Sequence, residues 1–305
     1  MIVGIDLGGT KTRVIAEEGG ASLLDVTVPT RSWQSGLLLE DEKNPHRLLS
    51  LFDGLAGSGM AAIAIGARDL DNDRQLREFN TRVSQAHGGP VLAVNDVELL
   101  APAAGLENAI AVIVGTGSKV VGHGADGAIV SAGGHGYLLD DEGSAPWLAR
   151  TAMSRVLDAH DQGRDPDALA LSFMDHFGVD DVVDASYAFA TTVGLNSWAR
   201  LCPLVFEAAD AGSELAVTVI TDAAHYLADD VALVHRRGAL GTDVLCAGGV
   251  VTNQPRLFQA LVRDIDDLAL GLAVHLLTVP PVMGALALAR KLGQQNHHSD
   301  QWRIT

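Results

Sequence analysis

The chain has 305 residues, 48% of them hydrophobic and only 19% charged, with 33 glycines, a balance that excludes a disordered chain and allows one large domain or two of ordinary size. A formal net charge of −17 against 21 basic residues argues against a nucleic-acid backbone or an anionic membrane as partner and leaves a small ligand or another protein. Two cysteines without paired spacing, Cys202 and Cys246, lend little support to zinc or iron–sulfur sites, and with no basic leader and no long apolar run they predict a reduced, cytoplasmic protein without signal peptide or membrane span.

The first element is the segment Gly4-Ile5-Asp6-Leu7-Gly8-Gly9-Thr10-Lys11-Thr12. An apolar run from Met1 to Ile5 leads into an acid, two glycines and hydroxyls, and the alternating Arg13 to Ala16 follows. This predicts strand, tight turn, strand. Glycines without side chains let backbone N–H groups converge on an anion, and an acid at the strand end can hold a hydrated divalent cation. No helical pattern follows at once, so this is neither the glycine-rich loop of nucleoside triphosphatases nor the dinucleotide fingerprint. Locally, a plain hairpin and a phosphate cradle both stand.

Ala21 to Val28 continues as a third strand, making an antiparallel meander. Pro29 to Asn44 reads as irregular, with Trp33 exposed among polar residues; a helix begins near Pro45 with Leu48, Leu49, Phe52 and Leu55 as its apolar positions. A buried strand is expected over Ala61 to Ala67, an amphipathic helix over Asp71 to His87, and a strand over Pro90 to Val94. That strand ends in Asn95-Asp96 and a helix is expected over Val97 to Leu106. An acid at the carboxyl end of a parallel strand is where open α/β sheets place their chemistry, while Asp and Asn are equally favoured as simple helix caps.

The opening pattern then returns. Ala109 to Val114 is a buried strand, Gly115-Thr116-Gly117-Ser118 a glycine and hydroxyl turn, Lys119 to His123 a second strand and Ala128 to Ala132 a third. Two copies of one unit imply two similar sheets facing each other, each offering a phosphate-binding turn to a shared cleft. Gly133-Gly134-His135-Gly136 leads into Asp140-Asp141-Glu142-Gly143-Ser144-Ala145, where three adjacent acids call either for a donor-rich ligand such as a polyol or for a solvated turn capping the helix from Trp147. Helices are expected over Trp147 to His160, Asp167 to Phe177, Asp180 to Thr192, Leu195 to Ala211 and Ser213 to Arg237. A strand over Thr242 to Ala247 meets Gly248-Gly249-Val250 and a helix from Pro255, and a strand over Ala273 to Val279 precedes a last helix over Val282 to Leu292. The polar segment Gln294 to Asp300 is expected to fray.

Taken in order, Asp6 to Thr12, Asn95-Asp96, Gly115 to Ser118, Gly133 to Gly136 with Asp141 to Ser144, and Ala247 to Val250 resemble the sugar kinase, actin and Hsp70 superfamily, and within it the N-acetylglucosamine kinases of the BadF/BadG-type ATPase group. The resemblance covers residues 1 to about 290. It implies an α/β protein of two RNase H-like domains with an interdomain cleft, residues 1–106 and residues 107–305 with a helical insertion, the last helix packing back on the first domain. It implies an ATP-dependent kinase of N-acetylglucosamine or glucosamine using Mg2+, and the acidic surface and Leu-rich helices allow a homodimer. In its terms the nucleotide set is Gly8, Gly9, Thr10, Lys11, Thr12, Gly115, Thr116, Gly117, Ser118, Gly248, Gly249 and Val250. Asp6 would hold the hydrated magnesium, Asp96 would be the catalytic base, and Asn95, Asp96, Thr116, Gly134, His135, Asp141 and Ala145 would form the sugar set. The chain departs from that pattern where Asp140 replaces a usual glycine, where His135 replaces a common tryptophan, and where Pro29 to Trp33 lacks an asparagine, and these departures bear on which sugar is taken. Two other readings remain: an ATPase that activates a dehydratase through an iron–sulfur cluster, and a regulator that binds sugar or ATP without turnover.

Overall fold

The computed structural model describes residues 1–55, 62–68, 70, 72–192 and 194–301, so the expected strand start at Ala61 and helix start at Asp71 lie outside the described residues. The first elements are β1 (Ile2–Leu7), β2 (Lys11–Glu18), β3 (Ala21–Pro29), α1 (Asn44–Leu49), β4 (Ala62–Ala67), α2 (Asp73–His87), β5 (Val91–Asn95) and α3 (Leu100–Ala103). There follow β6 (Ile110–Val114), β7 (Ser118–His123), β8 (Ile129–Ala132), α4 (Ala145–Asp161), α5 (Ala168–Phe177), α6 (Val182–Thr191), α7 (Leu195–Ala199), α8 (Cys202–Asp210) and α9 (Glu214–Arg236). The chain ends with β9 (Asp243–Ala247), α10 (Gly249–Asn253), α11 (Pro255–Asp267), β10 (Ala273–Leu276) and α12 (Val282–Gln301). It divides into two compact units, Met1–Glu107 with Leu277–Thr305, and Asn108–Leu276.

In the first unit the sheet order is β3-β2-β1-β4-β5, with β1, β4 and β5 parallel and the β1-β2-β3 meander antiparallel. Successive residues of β1 alternate between faces. Val3, Ile5 and Leu7 enter a core with Phe79 and Val83 of α2 and Leu48 of α1. The opposite face carries Gly4 and, across the β1–β4 register, Gly66, and there backbones come close: a Cβ on Gly4 would lie 2.5 Å from the Leu286 amide of α12, and one on Gly66 would overlap the Leu99 side chain. Asp6, two residues beyond Gly4 and paired with Gly66, points to this same face.

The second unit repeats the plan strand for strand, in the order β10-β9-β6-β7-β8 with β6, β9 and β10 parallel and β6-β7-β8 antiparallel. The repeated pattern of strands, turns and small residues therefore corresponds to two five-stranded mixed sheets of one topology. The core of the second unit is larger, uniting Ile110, Val112 and Val114 with α4, α5, α8 and α9 through residues such as Met153, Phe173, Val205 and Val231.

Several expectations are corrected. The helix expected over Val97 to Leu106 is a 3-10 turn, Asp96–Leu99, followed by the single turn α3, because Pro102 lacks a donor and the chain leaves the helix at Gly105 (φ 74°). The segment Leu195 to Ala211 splits into α7 and α8, with Pro203 in the first turn of the second. The Gln294 to Asp300 segment is helical, as part of α12. Trp33, expected to be exposed, is buried at 7% exposure, its indole N–H bonded to the Thr12 hydroxyl.

Candidate functional site

In the first unit the turn Gly8–Thr10 joins β1 to β2 and is closed by the Gly8 N–H donating to the Lys11 carbonyl (3.0 Å). It is braced by an ordered chain of donors beneath it. The Trp33 indole donates to Thr12 Oγ1 (3.0 Å), the Thr12 hydroxyl lies 3.0 Å from Thr30 Oγ1, and the Thr30 hydroxyl donates to the Gly8 carbonyl (2.8 Å). Because Thr30 spends its proton on Gly8, Thr12 donates to Thr30 and accepts from Trp33. Thr12 is thereby fully buried and acts as a brace, while Gly9, Thr10 and Lys11 remain on the surface. The burial of Trp33 follows from this non-local bond.

At the end of β1, burial pushes the Asp6 carboxyl from its ordinary 3.8 up to about 6, and the neighbouring Arg13 only partly offsets this. Arg13 is itself engaged, its guanidinium forked onto Asp25 at 2.9 and 2.9 Å. Asp96 opens the 3-10 turn at the tip of β5, two strands from β1, or about 10 Å at the usual strand spacing. Asn95 holds that turn: its side chain accepts from Val97 N and donates to the Leu70 carbonyl (3.1 Å), while Glu98 accepts from the Asn95 N–H (2.8 Å). The Asn95 amide is thus occupied in fixing the backbone that carries Asp96.

Arg68 went unnoticed in the sequence. It follows β4, its N–H donates to the Leu7 carbonyl (3.2 Å), and its guanidinium lies against Gly9, where a Cβ would overlap it. Only the strand order, which sets the end of β4 beside the end of β1, brings the two together.

In the second unit the Gly115–Ser118 turn is closed by Gly115 N donating to the Gly117 carbonyl (2.8 Å) and anchored by Ala145 N, at the start of α4, donating to the Gly115 carbonyl (2.8 Å). Ser118 donates to the Glu142 carbonyl (2.7 Å), and Asp141 lies against Gly117, with Oδ2 3.2 Å from where its Cβ would be. Gly248 (φ 105°) abuts the backbone of Val114, and Gly115 comes within 3.7 Å of Gly249 N, measured from its would-be Cβ. The Val250 side chain is buried in the core, so only its backbone is available at this edge.

Asp141 has a left-handed backbone (φ 58°), is 6% exposed and accepts from the Gly136 N–H (3.1 Å). Burial raises its pKa, with Asp140 adding to the rise and the Gly136 bond opposing it. Burial also acts to raise Asp140, but hydrogen bonds from Glu142 and from the His135 N–H (3.2 Å) hold it below the ordinary carboxylate range. Glu142 is correspondingly pushed up to about 7, first by that bond to Asp140 and then by burial. Asp230 of α9, which sequence reasoning also missed, lies against Gly133 and is raised to about 6 by burial. The alternative in which these acids cap the following helix is corrected, since the cap is Ser144, whose Oγ accepts from Trp147 N (3.4 Å). His135 and Thr116 stay exposed, and Gly134 packs on the Lys119 side chain.

Among the described residues no group of three or more His, Cys, Asp or Glu converges as a metal cage. A single half-withdrawn carboxylate such as Asp6, beside a turn with exposed backbone, does fit Mg2+, which takes most of its ligands from water and phosphate. Cys202 and Cys246 are buried, and burial pushes both thiols up to about 12, a setting that opposes the thiolates a cluster needs. Among the described residues no helix is long and apolar enough to cross a membrane.

Comparison with known proteins matches residues 58–289 to the BadF/BadG/BcrA/BcrD ATPase family. The chain is 24% identical over 313 aligned positions to the N-acetyl-D-glucosamine kinase of Dictyostelium discoideum, covering 95% of this chain and 97% of that one. It is 27% identical to the N-acetylmuramic acid/N-acetylglucosamine kinase of Clostridium acetobutylicum, covering 83% of this chain and 86% of that protein. A crystal structure of a candidate N-acetylglucosamine kinase from Chromobacterium violaceum superposes with a TM-score of 0.71 at 27% identity, over 94% of this chain and 98% of that one. With three quarters of its length inside the family model and the matching fold, the chain belongs to the BadF/BadG/BcrA/BcrD ATPase family.

Proposed function

We propose that the protein is a sugar kinase that transfers the γ-phosphoryl group of Mg·ATP to the 6-hydroxyl of an amino sugar, N-acetylglucosamine or glucosamine. The observation that carries this reading is the row of parallel strand ends in the first unit, where Asp96 follows the tip of a strand two strands from the one that carries Asp6 and leads into the Gly8–Thr10 turn. The names of the relatives support the substrate class. In this reading the backbone N–H groups of Gly9 and Thr10 and the side chain of Lys11 hold phosphate oxygens, and Asp6 fixes waters around the metal. When bound, Mg2+ neutralises charge on the β- and γ-phosphate oxygens. Asp96 accepts the proton of the sugar hydroxyl as its oxygen bonds to the γ-phosphorus and the bridge to the β-phosphate breaks, leaving ADP.

In the second unit the Gly115–Ser118 turn serves phosphate, and the backbone of Gly248 to Val250 borders adenosine. Asp141, held by the Gly136 N–H, accepts sugar hydroxyls, with Thr116, Gly134, His135 and Ala145 around it. Asn95 contributes by orienting Asp96, and Thr12 by bracing the turn.

The test is ADP release by the purified chain on a panel of hexoses and hexosamines with Mg·ATP. Asp96→Asn should lower kcat by roughly 10²–10⁴-fold with an unchanged melting temperature. Failure to phosphorylate any sugar of the panel, or an Asp96→Asn variant as active as the parent, sinks the proposal.

A further inference from the structure

We infer that Arg68 is a phosphate-contacting residue of the first turn, a guanidinium that the sheet itself holds over Gly9; this rests on the kinase reading above and names one more residue in its nucleotide site. Gly9 is absent from the glycines with left-handed backbone, so its φ does not require glycine. What a side chain there would meet is the Arg68 guanidinium, with Nη1 and Cζ overlapped and Nε at 3.1 Å. The missing Cβ at position 9 leaves that space to the Arg68 guanidinium.

The approach is fixed by backbone. Arg68 is the residue after β4, and its N–H donates to the Leu7 carbonyl at the end of β1, so its Cα is held one step from the turn. Arg68 joins Lys11, exposed at the start of β2, as a second cation beside the turn. In a chain of net charge −17, a phosphate approaching the exposed amides of Gly9 and Thr10 needs local positive charge. A guanidinium stays charged at every working pH and presents a planar fork suited to phosphate oxygens.

The experiment measures ADP and adenosine binding by calorimetry on the full chain and on Arg68→Ala, Arg68→Lys, Gly9→Ala and the double variant. Arg68→Ala should weaken ADP about tenfold or more and leave adenosine within about twofold, with Arg68→Lys in between. In steady-state assays KM for Mg·ATP should rise while KM for the sugar stays. Gly9→Ala should weaken ADP in the parent by displacing the guanidinium, yet add nothing once Arg68 is alanine. Equal ADP affinity in the parent and Arg68→Ala overturns the inference, including the case in which only the melting temperature falls. So does a Gly9→Ala loss that is the same with and without Arg68, because the glycine would then serve phosphate approach alone. A parent that binds neither ADP nor ATP overturns the kinase reading and this inference with it, whereas a parent that binds ADP as well as Arg68→Ala does removes only Arg68.

Discussion

Asp6 is placed at a cost that can be measured without any substrate. Its folded pKa is raised from 3.8 to about 6, so the folded state binds a proton more tightly than the unfolded chain. The carboxyl is neutral in both states below pH 3.8, and above pH 6 it is ionised in both, the ionised form being penalised only in the fold. The gap corresponds to at most roughly 3 kcal/mol, lost as pH rises from about 4 to about 6. Asp6→Asn should therefore unfold at a higher temperature than the parent at pH 8 without metal, by an advantage that disappears near pH 4, and should fail as a kinase; a variant less stable than the parent at pH 8 would show that the carboxylate is stabilised in the fold. The buried hydroxyl relay has the opposite sign. Thr12→Val strands the Trp33 N–H and removes the donor to Thr30, and should cost about 1–3 kcal/mol in urea denaturation. Glycines and strand-end acids were legible because local backbone chemistry demands them. Trp33, Arg68 and Asp230 were not, because each acquires its role from a neighbour distant in sequence: Thr12 across the meander, Gly9 across β1 and β4, and Gly133 against α9.

At the scale of elements, the packing of α12 on the first sheet decides whether its glycine is tolerated waste or a requirement. Glycine within a helix costs about 1 kcal/mol relative to alanine, so propensity alone favours Gly284→Ala. Yet a Cβ at Gly284 would overlap the Leu99 carbonyl and lie 3.0 Å from the Ala103 amide, both backbone groups that cannot rotate away. Overpacking of this kind costs about 1–3 kcal/mol, which exceeds the gain. Gly284→Ala should therefore lower stability in denaturant titration, and because Leu99 ends the 3-10 turn that begins at Asp96, it should also lower kcat more than KM. An unchanged kcat would mean that the turn absorbs the shift without moving Asp96. The strands and their repeat were readable since alternation, small-residue turns and buried apolar runs are local patterns. The 3-10 turn was not, since the capping box of Asn95 and Glu98 looks from sequence like the start of an ordinary helix, and only Pro102 a few residues on keeps it from becoming one. The division of α7 from α8 has the same origin in Pro203.

For the whole molecule, one unit is continuous in sequence and the other is not. Asn108–Leu276 holds its own sheet and the larger core, whereas the sheet of Met1–Glu107 is completed by a helix from the far end of the chain. Without that helix, Ile15 and Ile2 lose Val282, Leu286 and Met283, and the face bearing Gly4 is bare to water. Burying a few large aliphatic side chains contributes about 1.5–3 kcal/mol each, a sum comparable with the total stability of a domain of this size. The segment 108–276 expressed alone should therefore unfold cooperatively in urea, while 1–107 alone should show no cooperative transition and should gain one when 277–301 is rejoined to it through a flexible linker. Cooperative unfolding of 1–107 by itself, at the midpoint of its transition in the full chain, would show that the apolar core between the sheet and α2 suffices and that α12 merely covers it.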